Sequence, residues 1–243
     1  MTVADRLWKT FNKALGEYQL ISDDDHILVG LSGGKDSLCL LEMLARRSHI
    51  IKPRFTLEAL HVRMENIRYE TDATYLQQFC DRLGVKLHVV TTSFDPKPLT
   101  TNHAKEKPAC FLCSWQRRKQ LFNIAQQLGC SKIALGHHQD DLIHTALMNL
   151  TFQGRFDTMP ALLKMRKMPL TIIRPLCMIE EQDIKVYAEL QGYQKQKKLC
   201  PYETDSHRSD IKRLYDAIEQ INPEARYSIW RALNADNKLI EET

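Results

Sequence analysis

The chain has 243 residues, 43% of them hydrophobic, with a formal net charge of +4 and seven cysteines. That length suits one large domain or one domain with appendages, and such a fold buries about 70–75% of its unfolded surface without staples. No run approaches the roughly 20 apolar residues of a membrane span, and an odd cysteine count with no sign of secretion argues against a disulfide framework. The opening MTVADRLWKTFNKALGEYQL is amphipathic without a continuous apolar core. It does not read as a targeting segment, so the cytoplasm is the expected location and no membrane partner is expected.

Val3, Leu7, Phe11, Ala14, Leu15 and Tyr18 give the opening helix one apolar face, which packs either across the domain or against a partner subunit. Ile27 to Leu31 reads as a buried strand that breaks at Ser32-Gly33-Gly34. Leu38, Leu40, Leu41, Leu44 and Ala45 then recur at helical spacing. Phe55 to Met64 is a second strand. A helix follows from about Asp72 to Leu83, with Leu76, Phe79 and Cys80 on one face and Gly84 past its end. Val85 to Thr91 makes a third strand, and Asp95 to Pro108, with three prolines, is a loop. A long helix from Cys110 to Leu128 turns Leu121, Ile124, Ala125 and Leu128 inward, and Gly129 stops it. Lys132 to Leu135 is a fourth strand, which runs into Gly136-His-His-Gln-Asp-Asp141 and a helix through Phe152. Thr171 to Arg174 is a short fifth strand, and Glu180 to Leu190 is a helix closing at Gly192. The last part is helical, with Asn222-Pro223-Glu224 as an N-cap and first-turn proline. Five strands alternating with helices predict an α/β fold, a doubly wound parallel sheet with ligands at the carboxyl ends of its strands. The expected organisation is an N-terminal helix over residues 1–22, the sheet domain over 23–192 and a helical segment over 193–243.

Four groups of residues carry chemistry. Gly33 and Gly34, between strand and helix, let the backbone approach a ligand closely. The following helix aims its unpaired N–H groups and positive dipole end at that turn, which makes an anion site. Ser32, Lys35 and Ser37 add donors, and Asp36 can hold a metal or orient a neighbour. The second group, Gly136 to Asp141, falls on the same sheet edge. Its two carboxylates fit Mg²⁺ against phosphate oxygens, although an Asp pair at a helix start also serves as a plain cap. The third is Cys110 and Cys113, a CxxC that fits a redox pair, half of a zinc site or part of an iron–sulfur site. Cys39, Cys80, Cys130 and Cys177 read as core thiols. Cys200, between lysines and Pro201, stands outside any apolar period. The fourth is Arg117 and Arg118, suited to phosphate or to a solvated helix face. Basic clusters recur at residues 117–119, 164–167 and 195–198.

SGGKDS after a strand resembles the pyrophosphate-binding loop of the ATP pyrophosphatases. Together with CFLCSWQRR, KIALGHHQDD, IIRPL and a late LCP, in that order, the chain is similar to the tRNA 2-thiocytidine synthetase family. More distantly it resembles the iron–sulfur-dependent 2-thiouridine enzymes. The resemblance implies ATP bound by Ser32, Gly33, Gly34, Lys35, Asp36 and Ser37, with Val62, Gly136, His137 and Asp140 also at the nucleotide. It implies Mg²⁺, and catalytic roles for Lys35, Asp36, Asp141 and Arg117. A 4Fe–4S cluster on Cys110, Cys113 and Cys200 would hold sulfur, and Arg118, Lys164, Lys167, Lys197 and Lys198 would meet tRNA. The implied partners are tRNA and a sulfur donor, either a cysteine desulfurase or free sulfide, and a homodimer is compatible with the opening helix. The implied reaction is adenylation of a base carbonyl oxygen followed by its replacement with sulfur. The alternatives are a lysine-adding or amidating ligase built on the same loop, thiolation through a cysteine persulfide, and a non-catalytic iron–sulfur RNA sensor.

Overall fold

The computed structural model describes residues 1–66, 68–69, 73–95, 109–194, 198–199 and 207–241. It opens with α1 (Val3–Glu17), which starts at a capping box. The Thr2 hydroxyl accepts from the Asp5 N–H, and the Asp5 carboxylate accepts from the Thr2 N–H at 3.0 Å. Leu7, Phe11, Ala14 and Leu15 are buried, each larger side chain contributing about 1.5–3 kcal/mol by leaving water. The helix packs within its own chain, against α6 (Glu181–Leu190), where Arg6 grips Asp183 through Nε at 2.8 Å and Nη2 at 2.5 Å.

Next come β1 (Asp25–Gly30), α2 (Lys35–Ser48), β2 (Phe55–Met64), β3 (Arg68–Tyr69), α3 (Ala73–Arg82) and β4 (Lys86–Thr92). The chain continues through α4 (Ala109–Gln127), β5 (Lys132–Ala134), α5 (Gln139–Gln153), β6 (Leu162–Lys164) and β7 (Thr171–Ile173). After α6 follow β8 (Lys198–Leu199), α7 (His207–Ile221), α8 (Ala225–Ala235) and β9 (Ile240–Glu241). No helix among the described residues is long and apolar enough to cross a membrane.

The main sheet has seven strands in the order β4-β2-β1-β5-β7-β6-β9. The five expected strands are β4, β2, β1, β5 and β7, all parallel to one another. Two more extend the edge: β6 runs antiparallel to β7, and β9 is parallel to β6. Both are short, at three and two residues, and both stand outside the strand–helix alternation that marks β5 and β7 in the sequence. Pro223 is also placed differently: α8 starts at Ala225 with Glu224 as its cap, so the proline lies in the turn before it. There the Asn222 side chain accepts from the Glu224 N–H at 3.0 Å.

Alternate residues of each strand serve opposite faces of the sheet. Ile27 and Val29 enter the large cluster with the buried faces of α1, α2, α5 and α6, and Tyr215, Trp230 and Leu233 of α7 and α8 join the same cluster. Leu28, Leu60 and Ile133 enter a smaller cluster on the other face, covered by Leu121, Phe122, Ile124 and Ala125 of α4. Chain order reverses at β1. From there the chain steps out to β2 and β4, and α4 then carries it back to β5 on β1's other side. Open α/β sheets bind ligands in the crevice this reversal creates, beyond the carboxyl ends of the two central strands.

Candidate active site

The loops after β1 and β5 meet in that crevice. Gly33 has φ +83°, a conformation that strains any residue with a Cβ. Ser37 locks the turn from inside: its hydroxyl donates to the Gly34 carbonyl at 2.9 Å and accepts from the Ser32 N–H at 3.2 Å. Gly34 caps α2 without a side-chain hydrogen bond, so the first N–H groups of the helix remain available to an anion. Gly136, after β5, lies so close that a Cβ there would sit 3.1 Å from the Asp36 carbonyl and the Ser37 nitrogen. The second glycine loop therefore rests directly on the first turn of α2.

Between these loops is a cavity of about 490 Å³. Its walls include Ser32, Asp36 and Ser37 from the first loop, Leu60, His61 and Val62 from β2, and Gly136, His137 and Asp141 from the second. Arg117 and Leu121 of α4 close the third side. The size and the mixed lining suit a nucleotide. The His61 Nδ1 lies 2.8 Å from the Leu31 carbonyl and pins the end of β2 to the end of β1.

Four expected site residues, Lys35, Asp140, Lys164 and Lys167, do not line this cavity. The Lys35 ammonium donates to Asp36 at 2.9 Å and pairs with Glu181 at 3.1 Å. Asp140, expected at the nucleotide, accepts from Arg226 at 2.8 Å and from the Glu181 N–H at 2.7 Å, and it too lies outside the lining. Burial alone would raise its carboxyl, but the adjacent His138 ring and the Arg226 hydrogen bond outweigh it and hold Asp140 well below the usual carboxylate range. Asp140 thus ties α5, α6 and α8 together. Lys164, with Lys167 in the β6–β7 hairpin, is paired at the start of β7. That hairpin lies at the amino-terminal edge of the parallel strands, opposite the nucleotide loops. Arg118, in contrast, is exposed on α4 beside Arg117.

Several participants carry no local sequence signal. His138 is buried with Asp36, Asp140 and Asp141 all within 4 Å of its ring nitrogens, at 3.9, 3.5 and 3.5 Å. Burial opposes its protonation, yet the nearby carboxylates of Asp140, Asp141 and Asp36 raise its pKa. Glu181 gathers Lys35, Lys185 and Lys212; burial pushes its carboxyl up, but Lys185 and Lys35 prevail and bring it to about 2. A second cavity, about 270 Å³, adjoins at His137 and Asp141 and is lined further by His144, Glu181 and Lys212. Among the described residues no three His, Cys, Asp or Glu side chains form a metal-holding group.

Cys39, Cys80, Cys130 and Cys177 are buried, and burial pushes the Cys80 and Cys130 thiols up to about 11. Cys110 and Cys113 occupy the first turn of α4, one exposed and one buried against Met64 and Phe94. Cys200, Lys197 and the side chain of Lys198 lie outside the described residues. Leu199, however, pairs with Arg68, in a strand that begins four residues after Met64, and Met64 packs against Cys113.

A glycine loop of this form, set on the central strand of a reversing α/β sheet, defines a PP-loop protein, and residues 3–213 match the family model described as PP-loop domain. The chain is 33% identical over 234 residues to the tRNA-cytidine(32) 2-sulfurtransferase of Bordetella avium (strain 197N), spanning 96% of this chain and 73% of that protein. With the protein of the same name from Dichelobacter nodosus (strain VCS1703A) it shares 34% over 229 residues, 94% of this chain and 85% of that one. Within the PP-loop proteins, the chain belongs to the tRNA-cytidine 2-sulfurtransferase family. Among solved structures it is similar to the U34-tRNA thiolase NcsA from Methanococcus maripaludis with its [4Fe-4S] cluster. That likeness has a TM-score of 0.75 and 27% identity, and covers 98% of this chain and 80% of that one.

Proposed function

We propose that this protein is an ATP-dependent tRNA sulfurtransferase that activates the C2 carbonyl of a cytidine and replaces its oxygen with sulfur. One arrangement carries the reading: the cavity between the two glycine loops is closed by α4, and α4 opens on Cys110 and Cys113. Nucleotide and sulfur chemistry thereby share one helix. The relatives' names supply the substrate class.

In this reading the ATP phosphates lie against the N–H groups at the start of α2, and the adenine lies toward Leu60, Val62 and Gly136. The base O2 attacks the α-phosphorus and pyrophosphate leaves. Arg117 and the helix dipole stabilise the charge that develops, and single preorganised donors of this kind contribute about 10²–10³-fold in rate. Lys35 reaches the departing phosphates by exchanging Glu181 for them. Asp36 and Asp141, both beside His138, would hold a Mg²⁺ carried by the nucleotide. A sulfide equivalent then adds at C2, the C2–O bond breaks, and AMP departs with the original oxygen. Cys110, Cys113 and Cys200 would hold a 4Fe–4S cluster through their soft thiolates, and that group would supply the sulfur chemistry of the exchange.

The test is tRNA-dependent pyrophosphate release from ATP by anaerobically prepared protein, followed by mass analysis of the tRNA nucleosides. Lys35→Ala is expected to fold and to lose pyrophosphate release. Cys113→Ala is expected to bind ATP and to form no thiolated cytidine. Near-normal pyrophosphate release by folded Lys35→Ala protein would remove the phosphate-loop reading, and a modified nucleoside without sulfur would favour a ligase.

A further inference from the structure

The outward face of α4 carries a feature that the nucleotide site leaves unused. At 100° per residue, Cys113, Arg117 and Leu121 share one side of this helix, the side that meets the core and the cavity. Phe111, Trp115, Arg118 and Lys119 fall on the other side, and all four are exposed. Trp115 is 50% exposed and Phe111 49%. The Lys119 ammonium stands 5.4 Å from the centre of the indole. The helix holds three consecutive cations and, over its 19 residues, no acid.

Neither aromatic ring belongs to a core cluster. Half-exposed rings beside cations, with no carboxylate on the helix, fit a polyanion that also offers flat faces. A protein partner offers carboxylates and occasional rings but no regular alternation of the two, and duplex RNA keeps its base faces closed. Single-stranded RNA meets both requirements, because every unpaired base has a π-face and every nucleotide a phosphate. Resting on the proposed tRNA substrate, we infer that an unpaired base beside the target cytidine stacks on Trp115, with the adjoining phosphate on Arg118 and Lys119. The loop straddles the amino-terminal half of α4. The target base enters the cavity on the Arg117 side while its neighbour is held on the Trp115 side, about 10–12 Å away across the helix. Trp115 is then a positioning residue that sets which nucleotide reaches the ATP.

The experiment uses the full-length protein and two probes: a hairpin RNA with an unpaired loop, and the same RNA closed into a duplex by its complement. Of the three tryptophans, Trp230 is buried and Trp8 is partly buried beneath Arg46, so quenching by a stacked base reports on Trp115. Hairpin RNA is expected to quench wild-type fluorescence. Trp115→Ala should weaken hairpin binding on the order of tenfold, as loss of one base stack does, whereas Trp115→Phe should stay within about twofold. Duplex binding and ATP affinity should be unchanged in both variants. Equal hairpin affinity of Trp115→Ala and wild type overturns the inference, as does parallel loss on hairpin and duplex. Normal RNA binding by Trp115→Ala with failed sulfur uptake from a protein donor, or with an altered oligomeric state, assigns the face to a protein and also overturns it. Wild-type protein that binds neither RNA overturns the inference and the tRNA reading together, so the two failures are distinguishable.

Discussion

Gly136 shows how little room the site leaves. A single methyl there would meet backbone atoms of Asp36 and Ser37 at 3.1 Å, and these atoms anchor the first turn of α2 and have no rotamer by which to yield. Gly136→Ala must therefore part the two loops. Overpacking of this kind costs about 1–3 kcal/mol, and here the strain falls on the geometry that binds phosphate. The variant is expected to keep its far-ultraviolet circular dichroism and to lose ATP affinity about tenfold or more by titration calorimetry. An unchanged affinity would mean that the close approach of the loops is incidental. The need for glycine at Gly33 is legible from the strand–SGGKDS–helix pattern. The need at Gly136 is legible only in part: a glycine ending a strand signals close approach, but the atoms it approaches lie about a hundred residues earlier.

At the level of elements, two contacts hold α6, α7 and α8 onto the nucleotide loops. The buried Arg226–Asp140 pair joins α8 to the start of α5, and Arg226→Ala would leave Asp140 buried without its cation. A loss of about 3–5 kcal/mol is expected from denaturant unfolding; a loss below 1 kcal/mol would show that the pair is replaceable. Glu181 joins α6 to Lys35 and to Lys212 of α7. Its folded pKa, about 2, lies below the ordinary 4.5. The stabilisation it gives is therefore present above pH 4.5 and is lost as the pH falls toward 2. Glu181→Gln should lower the melting temperature at neutral pH and flatten its decline across that acid window. A decline as steep as wild type would place the acid sensitivity elsewhere, with Asp140 the next group to examine.

Across the whole molecule, the two ends of the strands differ in chemistry. The carboxyl ends carry the nucleotide loops, with Arg117 and Arg118 of α4 beside them, and the amino-terminal edge carries Lys164 and Lys167 on the β6–β7 hairpin. Each phosphate neutralised by a contacting cation steepens the salt dependence of RNA binding, by about 0.7–0.9 in the logarithmic slope. Arg118→Ala is expected to lower that slope by about one contact, and Lys164→Ala combined with Lys167→Ala to leave it unchanged. The reverse result would put tRNA across the hairpin edge and away from α4.

What the sequence determined by itself is local in origin. Glycine spacing, the switch from strand to helix period, and a strand ending in Gly136-His-His-Gln-Asp-Asp are written within a dozen residues each. They specify the α/β class, the five parallel strands, the phosphate loop and the buried cysteines. Strand order and the partners of each charge are not local. Asp140 and Arg226 lie 86 residues apart, and Lys35 meets Glu181 only because α6 packs beside α2. His138 has three carboxylates around it, of which Asp140 and Asp141 are local to its own helix start, while the third, Asp36, comes from α2 and is set only by the packing of α5 beside α2. The two edge strands likewise form because β7 offers an open ladder, not because their own residues demand one. Tertiary structure settled these points, since pairing energies across the chain depend on which surfaces the crossovers bring together, and no window of sequence contains both sides of such a contact.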